Sequence, residues 1–203
     1  LSQIGQETLD IIDTLQQLNP AGYQASGERD YPESTFGQAL QQVAMLVKAE
    51  VGLEVAALDV GGWDTHFSQG GSEGLMAGLL ADLASGLAAL HADLVDYMAD
   101  LTVVVMSEFG RRVQENASLG TDHGHGSFMM LLGGGLNGGR VYGRWPGLAE
   151  HQLFGPGDLA VTTDYRDVLG EICRTRLNNQ ATQAIFPGYN LSPLGLSQAR
   201  SNL

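Results

Sequence analysis

A short apolar run, a long leucine-spaced stretch and a second apolar run follow one another, and this order constrains the fold more than any other feature. Leu53 to Leu58 is too brief for a helix and reads as a buried strand. From Ser72 to Met98, Leu75, Leu79, Leu83, Leu87, Leu90, Leu94 and Met98 recur every three or four residues, which predicts one long helix. Leu101 to Met106 is β-branched and apolar on both faces, the pattern of a central parallel strand. Strand, helix, strand makes a βαβ unit with a right-handed crossover. Phe128 to Leu132 adds a third apolar run, and Arg140 to Tyr142 a short strand. The expected fold class is α/β, a mostly parallel sheet flanked by helices.

The remaining segments fit around that unit. Ile4, Ile11, Leu15 and Leu18 predict a helix from about Ser2 to Leu18, stopped by Asn19-Pro20. Ala21 to Pro32 reads as loop. Ser34 then caps a helix carrying Phe36, Leu40, Val43 and Val47 and ending near Glu50. Leu159 to Thr162 leads into a helix over Tyr165 to Leu177 with Asp164 at its N-cap, and residues 188–203 read as an irregular tail. The reading is one α/β domain over residues 1–203. Its first residue, Leu1, lies inside a helix-like pattern, so a processed or truncated product is expected.

The 203 residues are 43% hydrophobic and 16% charged, a globular balance. A net charge of -13 argues against a nucleic-acid binder, which needs basic surface, and disfavours an anionic membrane face. No run of eighteen apolar residues predicts a membrane span. Cys173 is alone, so no intramolecular disulfide forms. Arginines are concentrated from Arg111 onwards, at Arg111, Arg112, Arg140, Arg144, Arg166, Arg174 and Arg176. They are either scattered surface residues or a field for an anionic substrate, since guanidinium matches phosphate and sulfate oxygens.

Three acidic-histidine clusters carry the candidate chemistry. Asp64 and His66 stand two apart, so on an extended stretch they share a side and can pinch one cation; the alternative is an Asx turn with an exposed histidine. Asp59 is the other carboxylate of that segment. Glu108 ends the Leu101–Met106 run and is a ligand, a partner orienting a histidine, or the ion-pair partner of Arg111 or Arg112. Asp122 and His123 are adjacent, and only a loop, here bounded by Gly120 and Gly124, lets both reach one ion; a solvated loop would carry the same residues. His125 is a further ligand or a loop histidine. Mixed carboxylate and imidazole donors suit zinc or manganese. The glycine run Gly133 to Gly139 has no helix after it and reads as turns rather than a phosphate loop. Asn116-Ala117-Ser118 matches a glycosylation tripeptide, a frequent coincidence.

Five ordered motifs then give a resemblance. Gly61-Gly62-Trp63-Asp64-Thr65-His66, Met106-Ser107-Glu108-Phe109-Gly110-Arg111, Gly120-Thr121-Asp122-His123-Gly124, Gly138-Gly139-Arg140-Val141-Tyr142-Gly143 and Thr162-Thr163-Asp164-Tyr165-Arg166 are similar to the bacterial family called domain of unknown function 1501. The resemblance spans roughly Tyr31 to Leu177, and that family resembles the alkaline phosphatase and sulfatase superfamily.

It implies an alkaline-phosphatase-like core, here its C-terminal part, and hydrolysis of phosphate or sulfate esters, of small molecules or polysaccharides, with two divalent ions in the complete protein. Carried over, Asp64 and His66 look like the first ligand pair, with Asp59 an alternative to Asp64, and Asp122 with His123 the second. Arg111, Arg112 and Arg140 would meet the substrate anion. The resemblance also implies an exported, periplasmic location. No residue here matches the superfamily nucleophile, so a non-catalytic binding or structural module at the cell surface is the competing expectation. An unpaired sheet edge would seek a missing N-terminal half or a second copy.

Overall fold

Helices form where apolar spacing coincides with a cap. The computed structural model describes residues 5–6, 9, 12–15 and 18–199. In the expected Ser2–Leu18 helix, residues 5–6, 9 and 12–15 are helical; Ser2, Ile4 and Ile11 lie outside the described residues. Helix α1 spans Thr35–Lys48, and the Ser34 hydroxyl accepts from the Gly37 N–H at its start, as the sequence predicts. Helix α2, Leu75–Asp93, is shorter at both ends than expected, and a 3-10 turn at Val95–Tyr97 follows it. Leu94 and Met98 remain buried beyond its end.

The chain divides into two compact units, Leu1–Gly61 with Gly78–Asp96, and Gly62–Ala77 with Tyr97–Leu203. In the first, α1 buries Phe36, Leu40 and Ala44, and α2 buries Leu83, Gly86, Ala89 and Leu90. At Gly86 the two helices pack tightly: a Cβ there would come within 2.6 Å of the Phe36 ring and 2.9 Å of Leu40. Each large apolar side chain so buried contributes about 1.5–3 kcal/mol. By length and composition alone α2 is apolar enough to cross a membrane, whereas the absence of an unbroken apolar run of eighteen predicts no span. Asp82 stands at mid-helix and one face packs on α1, but only 17% of the apolar window is buried among the described residues.

The end of α2 is fixed by a fully buried carboxylate. Asp93 accepts from the hydroxyls of Tyr23 at 2.7 Å and Tyr31 at 2.8 Å and from the Ser26 N–H at 2.6 Å, and it is ion-paired with Lys48 at the end of α1. Burial alone would raise its pKa, but these donors outweigh burial and hold the carboxyl below its usual range. Burial and the adjacent carboxylate push the Tyr31 phenol well above its ordinary value.

The mostly parallel sheet flanked by helices, and with it the alkaline-phosphatase-like core, is not what forms. Leu53 to Leu58 takes neither helix nor strand; Val55 is 67% exposed and has no ladder partner among the described residues. The βαβ unit therefore lacks its first strand. Strand β1, Thr102–Val105, pairs antiparallel with β4, Met130–Gly133, from Thr102 opposite Gly133 to Val105 opposite Met130. Strand β2, Gly110–Arg111, pairs antiparallel with β3, His123–Gly124. Among the described residues these are two separate two-stranded sheets amid coil and helices. The physical reason is that an apolar run specifies burial, not the direction or number of its neighbours. β1, apolar on both faces, has one neighbour and is only half-buried. Arg140 to Tyr142 is loop, with Val141 96% exposed.

In the second unit, helix α3, Tyr165–Arg176, starts at the expected Asp164 cap and buries Val168 and Ile172. Its acids hold the tail. Glu171 accepts from the N–H groups of Leu194 at 2.7 Å, Gly195 at 2.9 Å and Ser197 at 2.9 Å, and Asp167 from Ser192 at 2.6 Å. Leu196 is buried beside them, and its carbonyl accepts from the Asn137 N–H. A short helix α4, Thr182–Ile185, lies between. Residues 188–199 are irregular, as expected, but pinned by hydrogen bonds.

Two outcomes follow. A depressed carboxylate stabilises the fold above its unfolded pKa of about 3.9 and loses that contribution as pH falls through its lower folded value. Acid titration of unfolding should therefore show a loss of stability below that pH, and Asp93→Asn should remove this component while costing about 3 kcal/mol at neutral pH. Glu171→Ala leaves three backbone donors without their acceptor; urea denaturation should show a loss of about 3 kcal/mol, with proteolysis moving into residues 191–198.

Candidate metal centre

The centre is assembled from three loops laced by backbone and side-chain hydrogen bonds. Asp64 and His66 flank Thr65, whose side chain is buried and donates to Gln69 Oε1 at 2.8 Å, so the two candidate ligands face outward together. The Ser68 and Gln69 N–H groups donate to Ser118 and Leu119, and Thr121 N–H to Thr65 O. Gly120 makes that approach feasible: a Cβ there would lie 2.3–2.4 Å from the Thr65 and His66 backbone. Gln69 Oε1 also accepts from the Thr121 hydroxyl at 2.8 Å. Arg111, on β2, spans the same gap, donating through Nη1 to Thr121 O and through Nη2 to Trp63 O. The β2–β3 pairing sets His123 opposite Arg111.

These constraints bring three donors together. Asp64 Oδ1 lies 2.7 Å from His123 Nε2 and 3.1 Å from His66 Nε2, and one ligand atom from each of the three residues falls within 4.8 Å of the others. The two imidazole centroids are 4.7 Å apart, and Phe109 stacks on the His123 ring at 4.0 Å. Around tetrahedral zinc, with ligand bonds of about 2.0–2.1 Å, neighbouring donors sit roughly 3.3 Å apart. Admitting an ion would mean opening the 2.7 Å Asp64–His123 contact by about 0.6 Å and the 3.1 Å Asp64–His66 contact by about 0.2 Å, and two imidazoles with one carboxylate form a donor set for zinc or manganese. The hydrogen bond from His123, then the nearby His66 and Arg111, hold the Asp64 carboxyl below its usual range. Asp64 and His123 side chains are 61% and 47% exposed, so the cluster opens to solvent.

The other candidates take different places. Asp122 is not in this triad; its Oδ1 is 3.4 Å from the opposite ring nitrogen, His66 Nδ1, and 3.0 Å from Asn116 Nδ2. The Asn116 amide holds the Asp122 carboxyl below its usual range. Asp59 belongs to the first unit and is exposed. Glu108 is exposed and makes no ion pair among the described residues. His125 Nδ1 is 2.6 Å from the buried Asp158, which also lies 3.5 Å from Arg112. Arg112 reaches Asp122 at 3.6 Å. Arg111 is committed to carbonyls, and Arg140 donates to the Tyr142 hydroxyl and lies 4.9 Å from its ring centroid.

A family model described as protein of unknown function (DUF1501) matches residues 6–173. The chain belongs to the DUF1501 family. No curated protein and no solved structure matches it. The family match encloses Asp64, His66 and His123 and the residues that support them in this DUF1501 chain, and ends within α3.

Gln69, Asn116, Phe109 and Asp158 were missed by sequence reasoning. Asn116 reads in sequence only as part of a frequent tripeptide and Phe109 only as a member of the second motif, while Gln69 and Asp158 carry no local signal, because their roles come from contacts distant in sequence. A depression of about 720 Å³ in the first unit, beside Tyr23 and Tyr31, is lined by no histidine. Arg111→Lys keeps the charge and loses the fork across the two loops. Urea denaturation of the DUF1501 variant should show a loss of about 1–3 kcal/mol; unchanged stability would mean that charge alone mattered.

Proposed function

We propose that this chain is a metal-dependent hydrolase of phosphate or sulfate esters, built around a zinc or manganese ion held by Asp64, His66 and His123. The observation that carries this reading is the convergence of a carboxylate and two imidazole nitrogens within 4.8 Å on a solvent-open surface. Three protein donors leave room for a further ligand, as catalytic sites require and closed structural sites do not. The ordered motifs shared with DUF1501, a family that resembles the alkaline phosphatase and sulfatase superfamily, support the ester class and an exported, periplasmic setting. They do so through the site residues and not through the sheet.

When bound, the ion would polarise an ester oxygen and acidify water. The chain's own residues orient and bind. The hydroxyls of Thr65 and Thr121 both donate to Gln69 Oε1, so in this reading water rather than either hydroxyl would be the attacking group. Arg112, 38% exposed in its side chain, is better placed than Arg111 or Arg140 to meet a phosphate or sulfate oxygen on a small molecule or polysaccharide.

The same commitment of both hydroxyls favours a second reading, a non-catalytic metal-holding module at the cell surface. A panel of aryl phosphate and sulfate esters, assayed with zinc or manganese and again after chelation, separates the two. Hydrolysis should appear with metal, vanish with chelator and fall at least about 100-fold in His66→Ala and His123→Ala. Metal binding without turnover of any ester would favour the module; neither binding nor turnover would remove the hydrolase.

A further inference from the structure

Asp122 sits beside His123 in sequence, and adjacency suggests that both ligate metal. The geometry points elsewhere. We infer that the centre holds a single ion and that Asp122 does not touch it but positions His66, with Asn116 in turn fixing Asp122. This inference rests on the metal reading above.

His66 places its two ring nitrogens between different carboxylates. Nε2 faces Asp64 Oδ1 at 3.1 Å and joins the triad, whereas Nδ1 faces Asp122 Oδ1 at 3.4 Å. An imidazole that gives Nε2 to an ion carries its proton on Nδ1, on the opposite edge of the ring. A carboxylate there accepts that proton's hydrogen bond, fixes the tautomer and ring orientation, and makes the ligating nitrogen more basic. Asp122 therefore lies on the wrong edge of His66 to share the ion that Nε2 would bind.

Both Asp122 oxygens already face donors. Oδ1 accepts from Asn116 Nδ2 at 3.0 Å, and Oδ2 lies 3.6 Å from Arg112 Nη1. A second divalent ion on Asp122 would displace the amide and stand beside a guanidinium, a like-charge contact. Its expected companion, His123, already has Nε2 directed at Asp64. Asn116 is held in turn: its Oδ1 accepts from the N–H groups of Ser118 and Gly120, while its Nδ2 also donates to the His66 carbonyl at 2.9 Å. One side chain thus ties the His66 backbone to the carboxylate facing the His66 ring.

The test is metal content by elemental analysis and affinity by chelator competition on the 203-residue chain loaded with zinc, with cobalt(II) absorption as a readout of the ligand set. One ion per chain is expected. Asp64→Ala and His123→Ala should abolish binding. Asp122→Ala should keep one ion and the cobalt spectrum of the parent while weakening affinity by about 10–100-fold. Asn116→Ala, which removes no proposed ligand, should weaken it in the same direction and keeps the question open to experiment if Asp122→Ala does not fold. Two ions per parent chain, loss of the ion in Asp122→Ala, or unchanged affinity in both variants would overturn the inference and leave the hydrolase reading standing. A parent chain that takes up no ion would remove the metal reading itself.

Discussion

The clasp between the Trp63–His66 segment and the Thr121–His123 segment is the contact on which the centre depends. Neither segment is a helix or a long strand, so neither orients its side chains by its own regular geometry. Gln69 takes a hydroxyl from each side, Arg111 takes a carbonyl from each side, and Gly120 allows the backbones to touch. Asp64 and His123, distant in the chain, meet at 2.7 Å because this clasp closes. Precision of this kind, supplied by interlocked polar groups at a loop junction, is what a coordinating constellation needs.

Buried carboxylates recur as tie points across the molecule. Asp93 gathers a lysine, two tyrosines and a backbone amide around the end of α2, and Glu171 gathers three backbone amides of an otherwise irregular tail. Such groups are costly inside unless every lone pair is met, and here each is met by several donors. An acidic composition thus hides a division of labour: most carboxylates face water, while a few organise coil that has no ladder of its own.

What was legible in the sequence follows from how local each cause is. The Ser34 and Asp164 caps and their helices were readable because a cap acts within one turn. The shared facing of Asp64 and His66 was readable because it needs only alternation about Thr65. The sheet was not, since Leu53–Leu58 and Thr102–Val105 look alike as apolar runs and differ only in whether a partner is present. Nor was the regrouping of His123 with Asp64 and His66: adjacency linked it to Asp122, whereas the β2–β3 pairing and the clasp turned it toward Asp64.

Asn116 heads the tripeptide Asn116-Ala117-Ser118, the acceptor pattern for N-linked sugars. Its amide nitrogen is already engaged with the His66 carbonyl and the Asp122 carboxylate. An oligosaccharide attached at that nitrogen replaces one of its two hydrogens, so the amide could keep at most one of these two bonds. Carbohydrate at this position would therefore loosen the junction that brings Asp64, His66 and His123 together, and a glycosylating expression host would be a poor source of the chain with that junction closed.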